Sequence, residues 1–243
     1  ISEVLFDIKP DDEGSFLKHR LLSLAFDADI VLDLHCDLQA SVHIYTGTPL
    51  WPDAADLSAE MGAVATLLAK ASGDNPFDEA CSRIWWDLAE KHAKFPIPCA
   101  CLAATVELRG ASDVSHELAI DDAQGLIRFL TRRSLIQGDV TEIPELKNEA
   151  TPLRGVEHIK APVSGVVIFP IKPGVVVKNG TPIAEIVNPV ELNPEKRRVL
   201  VKCTTEGVLF SINIDRYARP GRILAKIAGK EPIKGKGKNL LTL

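Results

Sequence analysis

The segment Asp29-Ile-Val-Leu-Asp-Leu-His35 runs through apolar and β-branched residues and ends in a histidine. Such a run is typical of a buried β-strand. A second segment of the same kind, Cys101-Leu-Ala-Ala-Thr-Val-Glu107, ends in a carboxylate. In open α/β sheets, ligands bind outside the carboxyl ends of the strands. We therefore expect His35 and Glu107 to meet at one edge of a sheet, where an imidazole and a carboxylate could serve a metal site as ligand and general base.

Helical patterns alternate with these two strands. Apolar residues recur at helical spacing in each pattern, and Pro or Gly residues punctuate their ends. Alternating strands and helices predict an α/β fold with a mostly parallel or mixed sheet flanked by helices. The predicted helices cover residues 13–27, 57–71, 76–92 and 121–136.

Composition and charge limit the classes of function. The chain has 243 residues, of which 46% are hydrophobic, so it can bury a large core. The net charge is −5 without a basic stripe, which argues against a nucleic-acid partner. No apolar run reaches about 18 residues, so we expect no membrane segment. Five cysteines without a framework spacing favour a reducing, cytoplasmic location.

The C-terminal part has a different pattern. Charged and turn residues dominate residues 141–158, which we predict to be a linker between an α/β part, 1–140, and a second domain, 159–243. The second domain repeats itself with one gap, since Gly165 and Gly207 open equivalent halves. We expect an all-β barrel or sandwich with internal symmetry.

This repeat resembles the biotinyl/lipoyl barrel. In that family a modified lysine lies at a hairpin between the two halves, within an Ala-Met-Lys-Met or Asp-Lys-Ala setting. The corresponding segment here, 187–196, contains neither setting. We therefore expect a barrel without a prosthetic group that packs against the first domain.

Three features together resemble the succinylglutamate desuccinylase/aspartoacylase family of zinc carboxypeptidase-like hydrolases. They are Asp33-Leu34-His35, the strand end Thr105-Val106-Glu107-Leu-Arg-Gly110, and the terminal β domain, in this order. The resemblance implies one zinc ion per site, with His35 as a ligand and Glu107 as the general base. On the residues alone, His35 could also be a core histidine, and Glu107 could face solvent or pair with Arg109.

Neighbouring residues have supporting roles in this interpretation. Asp33 lies two residues before His35 and projects to the same strand face, so it could hold the second imidazole nitrogen. Arg109 could receive a substrate carboxylate through a bidentate contact, or could form a surface ion pair instead. His43 and Tyr45, in a following loop, are weaker candidates for the lining of the pocket.

One family motif is absent from this sequence. The family supplies a His-x-x-Glu pair to its zinc from an early segment, and none of the six histidines here has a glutamate three positions later. We expect an N-terminal part with the remaining ligands to lie outside this chain, since one imidazole cannot form a zinc site.

Two functions follow from these observations. The first is a zinc-dependent hydrolase that cleaves the amide bond of an N-acylated amino acid or a similar small carboxylate-bearing substrate. The alternative is a truncated or degenerate relative that serves as a binding or assembly scaffold. In either case the predicted helix at 76–92 carries aromatic residues that are compatible with a homo-oligomer.

Overall fold

The central element is a five-stranded mixed sheet. The computed structural model describes residues 5, 7–73 and 75–241. The strand order is β1-β5-β3-β4-β6, in which β1 and β5 are parallel, β3 is antiparallel to β5, and β4 and β6 run parallel to β3. The predicted α/β class with a mixed sheet is confirmed. The strands of this sheet are β1 (Ile30–Asp37), β3 (His43–Gly47), β4 (Ala65–Ala69), β5 (Leu102–Gly110) and β6 (Thr151–Pro152).

Helices cover both faces of this sheet. Alternation along β5 divides its side chains between two cores, because successive residues of a strand point to opposite faces. Ala103 packs with Cys81 of α3 on one face, and Val106 packs with Phe129 of α4 on the other. The helices with described bounds are α1 (Glu13–Ala25), α2 (Ala55–Glu60), α3 (Phe77–Lys91) and α4 (His116–Arg132).

The helix predicted over 57–71 is wrong. The structure has the short helix α2, which is followed by strand β4. Gly62 adopts a positive φ of 59° just past the helix end, a conformation that glycine tolerates better than other residues. The apolar run that follows is buried in the sheet, where Leu67 is only 1% exposed. Tertiary burial therefore outweighs the helix propensity of its Ala and Leu residues.

The C-terminal part of the chain consists of antiparallel strands around their own apolar core. One sheet has the order β11-β10-β8-β13, and a second has the order β2-β12-β14-β7, in which β2 is the short strand Gln39–Ala40 and β9 pairs with β12. The core residues include Ile183, Ile186, Leu209 and Ile227, all completely buried. The strands of this part are β7 (Val156–Lys160), β8 (Gly165–Ile168), β9 (Val175–Val177), β10 (Pro182–Val187), β11 (Arg198–Lys202), β12 (Gly207–Ile212), β13 (Tyr217–Ala218) and β14 (Ile223–Gly229).

The two parts of the chain are joined by strand pairing and by a shared core. The short strand β2 (Gln39–Ala40), which follows β1, pairs with β12 of the C-terminal part. Leu67 of β4, Leu153 and Phe210 of β12 belong to one buried cluster. Within the predicted linker 141–158, residues up to 150 are irregular, whereas the rest already contains β6 and the start of β7. The regular structure therefore resumes earlier than the charged composition indicated.

In the described part of the chain, no helix combines the length and the apolar character that crossing a membrane requires.

Candidate functional site

His35 and Glu107 lie opposite each other on neighbouring parallel strands. The Cα register of β1 and β5 pairs His35 with Glu107 and Asp33 with Thr105. Residues in register on adjacent strands project to the same face of a sheet. Both side chains line one cavity of about 540 Å³ between the mixed sheet, helix α3 and the C-terminal part. The prediction that the imidazole and the carboxylate converge on a common cleft is confirmed.

Asp33 orients the imidazole of His35. Their side chains lie on the same strand face, and the distance from His35 Nε2 to Asp33 Oδ2 is 3.0 Å. About half of the His35 side chain is exposed, so the ring faces the cavity rather than the core. A carboxylate bound to one ring nitrogen fixes the orientation of the ring and leaves the other nitrogen available to a ligand.

The surroundings of Glu107 make its carboxylate more basic than usual. Burial raises the pKa of its carboxyl, and the negative charge of Asp37 raises it further, while His35 and Lys226 act in the opposite direction. Its Oε2 atom is buried and has no hydrogen-bond partner within the described residues. A buried polar atom without a partner is costly to the fold and is typical of a site that holds water or substrate.

Arg109 is not brought to this cavity. The pairing of β1 with β5 shifts register between His35 and Asp37, and Arg109 adopts a positive φ of 74° at this irregularity. Its guanidinium pairs with Asp122 of α4, on the other side of the sheet from Glu107. The sequence analysis gave an ion pair as the alternative role of Arg109, and the pair with Asp122 fulfils that role. The bulge reverses the direction that strand alternation predicts for residue 109.

Lys226 and Asp37 are site residues that the sequence did not single out. Lys226 of β14 lines the cavity, and its Nζ donates to Asp37 Oδ2 at 2.9 Å. Burial raises the pKa of the Asp37 carboxyl, but the charge and the hydrogen bond of Lys226 outweigh it, so the pKa is lowered overall. The one available signal was a lysine between buried apolar residues, in Leu224-Ala-Lys-Ile227.

His43 and Tyr45 lie on strand β3 rather than in a loop. They pair in register with Glu107 and Thr105 of β5. Tyr45 lines the cavity, and burial raises the pKa of its phenol. His43 is not among the lining residues and is completely buried, which lowers its pKa to about 4 and keeps it neutral.

The first turn of α3 adds two buried acids to the cavity wall. Burial, with smaller contributions from Glu79 and Asp33, raises the pKa of Asp78 to about 6. Glu79 accepts a hydrogen bond from the backbone N–H of Ser72 at 2.8 Å and pairs with Arg83 at 2.9 Å. Glu79 is therefore engaged in holding α3 against the loop at residue 72.

A complete zinc site is not formed by the described residues. A catalytic zinc ion takes about three protein ligands and leaves one position for water. Among residues 5, 7–73 and 75–241, no group of three or more His, Cys, Asp or Glu side chains is arranged to hold a metal ion. Among the described residues that line the cavity, His35 is the one histidine, and Asp33 Oδ2 lies 3.0 Å from its Nε2 atom.

The structure resembles solved structures assigned to the family that the sequence resembles. A succinylglutamate desuccinylase/aspartoacylase family protein from Shewanella amazonensis superimposes with a TM-score of 0.82 at 24% identity, over 94% of this chain and 62% of its own. A second, from Shewanella frigidimarina, gives 0.80 at 22% identity, over 94% and 61%. A third, from Rhodobacter sphaeroides, gives 0.66 at 16%, over 93% and 66%.

The chain has the fold of these proteins. It spans about three fifths of the length of the first two structures that it matches. Neither the protein-family models nor the curated proteins compared with the chain give a match. The fold that the sequence resemblance implied is confirmed by these structural neighbours.

Proposed function

We propose that this chain carries the catalytic base of a hydrolase that cleaves the amide bond of an N-acylated amino acid or a similar small substrate. The observation that supports this most directly is the register of His35 opposite Glu107 at the carboxyl ends of two parallel strands. The two groups share one cavity, which is large enough for a small molecule. The names of the structural neighbours, which include succinylglutamate desuccinylases and aspartoacylases, indicate the same class of reaction.

Glu107 would act on the attacking water. Amide hydrolysis requires a base that removes a proton from water and an acid that protonates the departing amine. A carboxylate with a raised pKa suits both roles, because it takes the proton more readily and can then deliver it. The unpartnered Oε2 atom is free to accept a hydrogen bond from that water.

We further propose that His35 is one ligand of a zinc ion and that Asp33 holds its ring. The remaining ligands would come from residues that this chain does not contain, in keeping with the longer chains of the structural neighbours. When bound, such an ion would lower the pKa of a coordinated water and polarise the carbonyl of the amide. Asp33 would hold one ring nitrogen and keep the imidazole directed into the cavity.

The remaining expectations belong to the same proposal. The C-terminal strands would form a quasi-symmetric barrel, since β8 and β12 begin at the equivalent residues Gly165 and Gly207. Within the predicted linker 141–158, the irregular residues 141–150 would connect it to the α/β part. The five cysteines are all free thiols, which supports a cytoplasmic location.

The test is metal analysis and kinetics on the complete polypeptide, including any segment that precedes this chain. We expect one zinc per polypeptide and hydrolysis of an N-acetyl amino acid. Glu107→Gln should lower kcat by about 10²- to 10⁴-fold and leave the zinc content unchanged. Glu117→Gln, on the exposed first turn of α4, is the matched control. Protein without zinc, and a fully active Glu107→Gln variant, would favour the scaffold alternative.

A further inference from the structure

The cavity that contains His35 and Glu107 is lined by two chemically different groups of side chains. One group is ionisable and includes Asp33, Glu107 and Lys226. The other group is apolar and comes from several elements of the fold. Ligand pockets are largely apolar, and a few polar groups in them fix the orientation of the ligand. The charged and apolar side chains of the lining therefore restrict which substrates can bind.

Lys226 is the only lysine or arginine among the described residues that line the cavity. An ammonium group has three N–H donors, and one of them is directed to Asp37. The side chain is 28% exposed, so its remaining donors are open to a ligand. Arg109, the cation that the sequence suggested for this role, is turned away and paired with Asp122.

Four acidic side chains line the same cavity: Asp33, Asp78, Glu79 and Glu107. Burial raises the pKa of Asp78, which disfavours its charged form, and Glu107 is the proposed base for the attacking water. Asp33 is bound to His35, and Glu79 is bound to Ser72 and Arg83. Asp37 holds the ammonium in place from a position outside the cavity lining. The structure therefore provides one positively charged contact, which suits one carboxylate.

The apolar region is built on the close approach of Trp86 to strand β3. A Cβ atom at Gly47 would lie 2.6 Å from the indole ring, so only glycine allows the ring to pack there. Trp86 Nε1 donates to the carbonyl of Lys70 at 3.3 Å and fixes the ring. Ala69 pairs in register with Gly47 on the neighbouring strand and also lines the cavity. The other apolar residues that line the cavity are Leu21, Leu67, Pro76, Phe77, Leu153 and Leu241.

We propose that the substrate carries a single carboxylate, which Lys226 binds, and an apolar side chain, which the Trp86 region receives. Lys226 is then a specificity-determining residue that the C-terminal part of the chain contributes to the site. This inference rests on the proposed function for the reaction itself. A ligand with a second carboxylate would place a charge against apolar side chains without a partner, which is costly.

The test is calorimetric binding to the Glu107→Gln protein, which separates recognition from turnover. The probes are N-acetyl-L-leucine, its uncharged amide and N-acetyl-L-aspartate. We expect N-acetyl-L-leucine to bind at least about tenfold more tightly than either of the others, as a charge-assisted hydrogen bond and apolar burial require. Lys226→Gln should abolish the preference over the amide, and Lys226→Arg should retain most of it.

A second variant tests the apolar region independently. Ala69→Leu should weaken binding of N-acetyl-L-leucine about tenfold and leave N-acetylglycine within about twofold. Lys202→Gln, on the exposed surface of β11, is the control for loss of a lysine. Equal or tighter binding of N-acetyl-L-aspartate, an unchanged preference in Lys226→Gln, or no measurable binding of N-acetyl-L-leucine would overturn the inference. Binding without hydrolysis by the protein with native Glu107 would instead contradict the proposed function alone.

Discussion

Lys226 Nζ lies 2.9 Å from Asp37 Oδ2, so an ammonium group from the C-terminal strands reaches the edge of the mixed sheet. The contact joins β14 to the end of β1, two residues after His35. The charge of Lys226 also lowers the pKa of Glu107, against the effects of burial and of Asp37. The C-terminal part therefore influences the basicity of the group that we propose as the catalytic base.

Removing the charge of Lys226 should move the acidic limb of the pH–rate profile. Glu107 must be ionised to act as a base, so activity falls as pH drops through its pKa. In Lys226→Met the pKa of Glu107 rises, because a favourable positive charge is lost and Asp37 is left uncompensated. We expect the acidic limb of kcat/KM to shift to higher pH. A carbon-13 NMR titration of the Glu107 carboxyl would measure the same shift without turnover, and an unchanged titration would refute it.

Asp33 should affect zinc binding through its contact with His35. In Asp33→Asn the side chain keeps its size but loses its charge, so the imidazole loses a strong acceptor. Removing such an outer carboxylate typically costs about 10- to 100-fold in metal affinity or activity. The measurement is zinc affinity by competition with a chelator, on the complete polypeptide. Asp87→Asn, on the exposed face of α3, should have no effect, and equal affinities for both variants would exclude the positioning role.

The sequence predicted the strand ends better than the side-chain directions. His35 and Glu107 were identified because a buried strand that ends in an ionisable residue can be recognised from the sequence alone. The position of Arg109 was predicted wrongly because the bulge at the end of β5 reverses the alternation of side-chain directions. No residue type in the sequence indicates this bulge. Lys226 was missed because its partner Asp37 lies 189 positions away in the chain. Long-range packing decides both, just as it turns part of the predicted helix 57–71 into strand β4.

Arg109 should contribute to stability rather than to substrate binding. Its guanidinium pairs with Asp122 where both side chains are largely buried. In Arg109→Gln the remaining carboxylate loses its partner, so we expect the free energy of unfolding to fall by about 1 to 3 kcal/mol. KM should change by less than about twofold. Urea unfolding of the two single variants and the Arg109→Gln/Asp122→Asn double variant would measure the coupling. A tenfold rise in KM at unchanged stability would restore the role in substrate binding.

His43 should make the fold less stable in mild acid. Burial lowers its pKa from 6.5 to about 4, so between these values the unfolded chain binds a proton that the folded chain does not. Stability is therefore fully present above pH 6.5 and falls as the pH decreases towards 4, by about 2 kcal/mol between pH 7 and pH 5. His158, whose pKa burial also lowers to about 4, adds a similar dependence. Urea unfolding of His43→Gln should show a smaller difference between these two pH values than the native protein. His116→Gln, at the exposed start of α4, should keep the full difference, and the same slope in both variants would contradict the assignment.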